Sequence, residues 1–162
     1  MILGLTLGQF TALHVAISLV AIASGIVVLL AFAAGRRRIA GLSALFLITT
    51  AATTLTGFLF PFNGPTPAFV TGVISIPVLA VAFAAYFGCK LQGRAAAAYA
   101  VSASIALYFN LLAFVTQAFL KVPPLHALAP SGTEPPFLVA QVVMLAAMIG
   151  LGTLSFRAAR RA

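Results

Sequence analysis

The chain carries five long runs of apolar residues, at positions 11–34, 40–60, 69–88, 95–120 and 137–156. An α-helix rises about 1.5 Å per residue, so about 20 apolar residues cross the ~30 Å hydrocarbon core of a bilayer. Hydrophobic residues make up 63% of the 162 residues and charged residues only 6%, more apolar surface than a soluble fold can bury. The pattern predicts an all-α integral membrane helical bundle, a single transmembrane domain over residues 1–162 with five transmembrane helices.

Basic residues flank these runs almost entirely on one side. Residues 1–9 have no basic segment and the first run is too long for a cleaved signal peptide, so we interpret that run as a spanning helix. By the positive-inside rule we expect the N-terminus outside and the C-terminus in the cytoplasm. The net charge of +8 is then explained by orientation, and we expect no nucleic-acid partner. The inner set is Arg36, Arg37, Arg38, Lys90, Arg94, Arg157, Arg160 and Arg161, against Lys121 and Glu134 outside.

Prolines and small residues punctuate the runs. Residues 61–67 contain three prolines and predict a tight outer turn, and residues 122–136 predict an outer Pro-rich loop. Pro77 lies inside the third run and predicts a kink. Ala21 and Gly25, four residues apart, permit close contact between helices.

Few residues in the chain suit catalysis or metal binding. There is no aspartate, and the single acidic residue is Glu134 in the outer loop. Carboxylate proton relays and di-metal carboxylate sites within the membrane are therefore excluded. A zinc site needs about four N or S ligands, whereas the chain offers His14, His126 and Cys89. We predict no catalytic residue and no metal site, and we lean against an enzyme.

Polar side chains within the runs concentrate near the outer boundary. Counting 1.5 Å per residue from the helix ends puts His14, Gln117 and Gln141 roughly 5 Å deep and Asn110 roughly 15 Å deep. Asn110, Gln117 and Lys121 recur at helical spacing and share one face of the fourth helix. We therefore expect an outer-leaflet polar pocket with the ligand-binding residues His14, Asn110, Gln117, Lys121 and Gln141.

This polar set has two interpretations. The side chains either bond across helices and hold the bundle together, or they bind the head of an amphipathic ligand such as a quinone or a lipid. Haem b is a narrower variant of the second interpretation, with His14 and His126 as the iron ligands.

Two outer segments resemble a group of small uncharacterised bacterial polytopic inner-membrane proteins. The similar stretches are Thr56-Gly57-Phe58-Leu59-Phe60-Pro61, Tyr108-Phe109-Asn110, Thr116 to Pro123, Leu128-Ala129-Pro130 and Glu134 to Phe137. The resemblance implies a multi-pass protein of the bacterial inner membrane and implies no mechanism.

Function follows from these residues only as an expectation. The leading hypothesis is a small polytopic protein without evident catalytic residues, an accessory or self-associating bundle subunit of a membrane complex. Its partners are then the lipid bilayer, other membrane subunits or itself. One alternative is a binder of quinone, lipid or haem in the outer pocket. Another is a small oligomeric transporter or channel.

Overall fold

The computed structural model describes residues 1–37, 39, 41–62, 64 and 66–161. Arg38, part of the inner basic set, and Ala40, the predicted start of the second run, lie outside these residues. The described chain is helical and contains no strand beyond an isolated bridge between Ile2 and Leu5. Its helices are α1 (Leu7–Ala33), α2 (Leu42–Gly57), α3 (Pro67–Phe83), α4 (Arg94–Lys121), α5 (Pro123–Leu128) and α6 (Pro135–Arg160).

Four stretches among the described residues are long and apolar enough to cross a membrane. They are α1, α3 together with the π-helical turn that continues it to Gly88, α4 and α6. The chain is therefore a helical membrane protein. The second predicted span is the shorter helix α2, whose 16 residues extend about 24 Å at 1.5 Å per residue. By length and composition four helices of the described residues are candidate spans, and the fifth predicted span stays a prediction.

Local hydrogen bonds explain where two helices begin. α1 starts at Leu7 rather than at residue 11 because Thr6 and Gln9 form a capping box. The Gln9 N–H donates to Thr6 Oγ1 at 3.2 Å, and the Thr6 N–H donates to Gln9 Oε1 at 3.0 Å, which satisfies two backbone donors at the helix start. The loop between α4 and α6 holds the additional helix α5, and its prolines occupy the first turn, where no backbone donor is needed.

α4 forms the centre of the bundle and packs against α1, α2, α3 and α6. The core that surrounds it includes the fully buried side chains of Leu29, Phe46, Tyr99 and Leu107. The closest approach is at Gly25 of α1, where a Cβ atom would lie 2.6 Å from Phe46 Cε2 and 3.0 Å from Leu107 Cδ1. Only glycine fits between these two neighbours without displacing them.

Contacts between helices define two ends of the bundle. At one end His14 of α1 meets Thr56 near the end of α2. At the other, Arg37 Nη2 donates to the carbonyl of Ala159 near the end of α6 at 2.8 Å. We call these the proline-rich end, which holds residues 58–62, 64, 66–69 and 121–136, and the arginine-rich end, which holds residues 34–37, 39, 41, 88–94 and 157–161.

Candidate functional site

His14, a predicted pocket residue, makes a hydrogen bond between α1 and α2. Its Nδ1 lies 2.8 Å from Thr56 Oγ1. The Thr56 hydroxyl donates its own proton to the Ala52 carbonyl at 2.6 Å, so it accepts from His14 and Nδ1 carries the ring proton. The edge of the Phe60 ring closes one side, with centroids 5.2 Å apart. His14 Nε2 is therefore left as the unprotonated nitrogen of the ring.

Two of the predicted amides also bridge helices. Asn110 Nδ2 of α4 donates to Thr50 Oγ1 of α2 at 3.2 Å, and Thr50 is buried. Gln141 Nε2 of α6 donates to Thr116 Oγ1 of α4 at 3.1 Å. The Gln141 Oε1 atom is buried and has no hydrogen-bond partner among the described residues, which is an unfavourable arrangement for an acceptor inside a membrane.

The remaining predicted residues lie on the surface at the proline-rich end. Gln117 and Lys121 are exposed on α4, and His126 is exposed on α5. Asn110 and Gln141 take part in separate contacts between helices, away from His14.

Glu134 organises the turn that precedes α6. Its carboxylate accepts the Ser131 N–H at 2.9 Å and the Thr133 N–H at 3.0 Å. Hydrogen bonds from Ser131, followed by that from Thr133, lower the pKa of Glu134 to about 2, because they stabilise the ionised form. Its carboxylate is therefore ionised near neutral pH and has no proton to donate.

The lowered pKa of Glu134 gives a pH prediction for this turn. The folded pKa is below the unfolded one, so the carboxylate contributes stability above pH 4.5, its ordinary pKa, and that contribution is lost as the pH falls through about 2. Cleavage within residues 129–134 by a protease of broad specificity, such as proteinase K, should be slow at neutral pH and faster in Glu134→Gln. Equal cleavage of both proteins would contradict the assigned bonds.

Metal-ligating side chains do not cluster in the part of the chain that the structure describes: no three His, Cys, Asp or Glu residues come together. Cys89 is exposed after the π-helical turn at the arginine-rich end. His126 lies at the opposite end, on the surface of α5.

Two cavities lie away from the predicted pocket. The larger, of about 1070 Å³, lies between α3, α4 and α6 and includes Arg94 and Arg160 in its lining. The smaller, of about 410 Å³, lies between α4 and α6. Neither is lined by His14, Asn110, Gln117, Lys121 or Gln141. The sequence explains both arginines as orientation signals. Arg94 begins α4 and Arg160 ends α6, and these positions at the same end of the bundle indicate a further role.

No family model, curated protein or solved structure matches this chain.

What the site can do chemically therefore follows only from its polar groups. The hydrogen bonds of His14, Asn110 and Gln141 join α1 to α2, α2 to α4 and α4 to α6. Such bonds within a membrane are worth about 1 kcal/mol each. Two acceptors are left over, His14 Nε2 and Gln141 Oε1, together with the exposed ammonium of Lys121. The arrangement is suited to holding helices together and leaves these few groups for an additional ligand.

Proposed function

We propose that the protein is a non-catalytic helical subunit of a membrane complex, formed with other membrane proteins or with further copies of itself. The observation that supports the proposal is that three of the four predicted pocket residues within the apolar runs, His14, Asn110 and Gln141, bond between helices, while the fourth, Gln117, is exposed. Glu134 is held ionised by backbone donors. These residues are then part of a scaffold rather than of a reaction centre.

α6 is the helix through which we propose that the protein associates. Of its 26 residues only Met148, Ser155 and Ala159 are buried. Its exposed surface is mostly apolar and includes Val139, Val142, Val143 and Ile149, each at least 60% exposed. A helix that packs on α1 and α4 yet has so few buried residues offers a broad face to a partner helix.

A photocrosslinking amino acid at Val142 tests this association in native membranes. We expect a crosslinked product of defined mass that is absent with the probe at Val20, an exposed residue of α1. Equal crosslinking at both positions, or a chain that runs alone as a monomer after mild detergent extraction, would count against a subunit role. A mass equal to two copies would identify self-association, and a larger or different mass another subunit.

We further propose that the protein crosses a bacterial inner membrane five times, with its N-terminus outside. α1 and α6 both run from the proline-rich end to the arginine-rich end, as the bond between Arg37 and Ala159 indicates. Termini at opposite ends require an odd number of crossings, so α2 is then the fifth. Its flanking residues and local thinning of the bilayer compensate for its length.

Cys89 makes this orientation testable because it is the only cysteine and is exposed. A membrane-impermeant maleimide should leave it unlabelled in intact cells and label it after lysis. Ser131→Cys in a Cys89→Ser background should give the reverse, with full labelling in intact cells. Labelling of Cys89 from outside would show that the orientation is inverted.

A second candidate function is the binding of a quinone, lipid or haem at the proline-rich end. It is favoured by one observation, the buried and unpartnered Gln141 Oε1. Mass spectrometry of a solvent extract and an oxidised-minus-reduced visible spectrum would detect such a ligand. A featureless spectrum and an extract without a stoichiometric small molecule would remove this candidate.

A further inference from the structure

A groove runs along the bundle at its arginine-rich end. It has a volume of about 1070 Å³ and lies between α3, α4 and α6, slightly above the usual range of ligand pockets, about 300–1,000 Å³. Along α4 it extends from Arg94 to Ile105, which is about 16 Å at 1.5 Å per residue. That length is about half of a ~30 Å hydrocarbon core. The groove therefore covers the depth of one leaflet.

The walls of the groove are apolar and open to the surroundings. Val81, Val101 and Ile105 line it and are 48%, 44% and 37% exposed. Its one polar wall residue, Ser102, donates its hydroxyl proton to the Ala98 carbonyl of its own helix at 2.8 Å. Nothing in the wall demands a polar ligand, and a hydrocarbon chain suits it.

The mouth of the groove is positively charged. Arg94, the first residue of α4, and Arg160, the last residue of α6, both line it and are exposed. The Arg160 guanidinium carbon lies 5.7 Å from the centroid of the Phe156 ring, another groove residue, and this cation–π contact orients the charge. The single acidic side chain, that of Glu134, is at the opposite end, so neither arginine has a carboxylate partner among the described residues.

The start of α4 adds to this positive field. Gly93 supplies no side chain to cap the helix, and the first turn contains no acidic residue. The N–H groups of Ala95 and Ala96 donate to the Gln92 and Gly93 carbonyls at 3.0 and 3.4 Å, so the helix start contributes the positive end of its dipole rather than free donors. Two arginines and this helix start therefore lie at the same end of an apolar groove.

The smaller cavity lies directly beside the groove. The two share Val101, Ile105 and Phe156, and these side chains therefore stand between them. The smaller cavity holds about 410 Å³ and is lined mainly by apolar residues of α4 and α6. Two neighbouring apolar channels below one cationic mouth match a molecule with one anionic head and two hydrocarbon tails.

We propose that this site binds an anionic phospholipid from the leaflet at the arginine-rich end. The phosphate pairs with Arg94 and Arg160, and the two acyl chains lie on either side of Val101 and Ile105. The charge selects an anionic over a zwitterionic lipid, because the described residues of the mouth offer no carboxylate to a cationic headgroup. A partner helix would fill the apolar walls but would leave both guanidinium groups unpaired.

Native mass spectrometry of the purified full-length protein tests the proposal. The protein is equilibrated in detergent with equal amounts of phosphatidylglycerol and phosphatidylcholine that carry the same acyl chains. We expect one phosphatidylglycerol to be retained per chain, at least about tenfold over phosphatidylcholine. In Arg94→Gln/Arg160→Gln the preference should fall about tenfold or more, since each arginine contributes about a factor of five toward anionic lipid.

Arg157→Gln/Arg161→Gln is the matched control, because it removes the same charge from exposed arginines at the same end that do not line the groove. It should change the preference less than twofold. Val101→Phe, which enlarges an exposed wall residue, should lower lipid retention while the helical content stays unchanged. Equal retention of both lipids, an equal loss in the control pair, or a partner protein that protects the groove from lipid would each overturn the proposal.

Discussion

Gly25→Leu should destabilise the bundle by about 3 kcal/mol, the upper part of the range for overpacking a buried position. A Cβ at Gly25 would already lie 2.6 Å from Phe46 Cε2 and 2.8 Å from Phe46 Cδ2. Phe46 is fully buried, so its ring cannot move aside without displacing α2 from α1. Titration of the folded protein with a denaturing detergent, followed by circular dichroism, measures the change in the free energy of unfolding.

Gly150→Leu is the control for that substitution. Gly150 lies on α6 and has nothing within 4 Å of an added Cβ. We expect the free energy of unfolding to change by less than about 1 kcal/mol, a difference within the helix propensity of glycine itself. Phe46→Leu should partly rescue Gly25→Leu by making room for the new side chain. Similar losses at Gly25 and Gly150, or no rescue, would mean that α1 and α2 do not approach as closely as described.

Tyr99→Ala should cost about 3 kcal/mol of unfolding free energy, near the lower limit for removing a buried aromatic side chain. The loss combines the cost of the cavity with a transfer term for the removed side chain. The transfer term is small when lipid rather than water surrounds the separated helices, so we expect a value near the lower limit. Tyr99 is fully buried on α4, with its ring centroid 5.6 Å from that of Phe32 and 5.7 Å from that of Tyr86. Its removal leaves a cavity where α1, α4 and the π-helical turn meet.

Tyr108→Ala supplies the comparison on the same helix. Tyr108 is only partly buried and lines the smaller cavity, so lipid can fill the space that its ring leaves. The same detergent titration should show at most half of the loss seen for Tyr99→Ala. Equal losses at the two positions would contradict the central place of Tyr99 in the core.

Much of the fold was predictable because the bilayer restricts a polypeptide to helices of a set length. The long apolar runs predicted α1, α3, α4 and α6. The four-residue spacing of Ala21 and Gly25 permitted a close helix contact. The start of α1 was not predicted, since a capping box lies outside the apolar run. α5 was not predicted, because its prolines indicated a loop. The length of α2 depends on where its helical turns end, and apolar composition does not predict the positions of those ends.

The candidate site was predictable in part. Depth along each helix placed His14, Asn110 and Gln141 within the predicted spans, and bonding across helices was one of the two interpretations of these residues. Their partners Thr56, Thr50 and Thr116 could not be predicted. A threonine that bonds only its own helix cannot be distinguished in sequence from one that also bonds a neighbouring helix. The sequence assigned Arg94 and Arg160 to the orientation of the chain alone, because it does not show which helix ends lie side by side.

The sequence by itself determined a helical membrane protein with its positive charge concentrated at one end, because periodic burial in lipid and charge bias act on each segment independently of the others. Only the tertiary structure decided that α4 is central, that α6 is left largely uncovered and that Arg94 and Arg160 share one groove. These features depend on which helix faces pack together. Inside a bilayer that choice depends on shape and a few hydrogen bonds, since lipid and protein side chains are almost equally apolar.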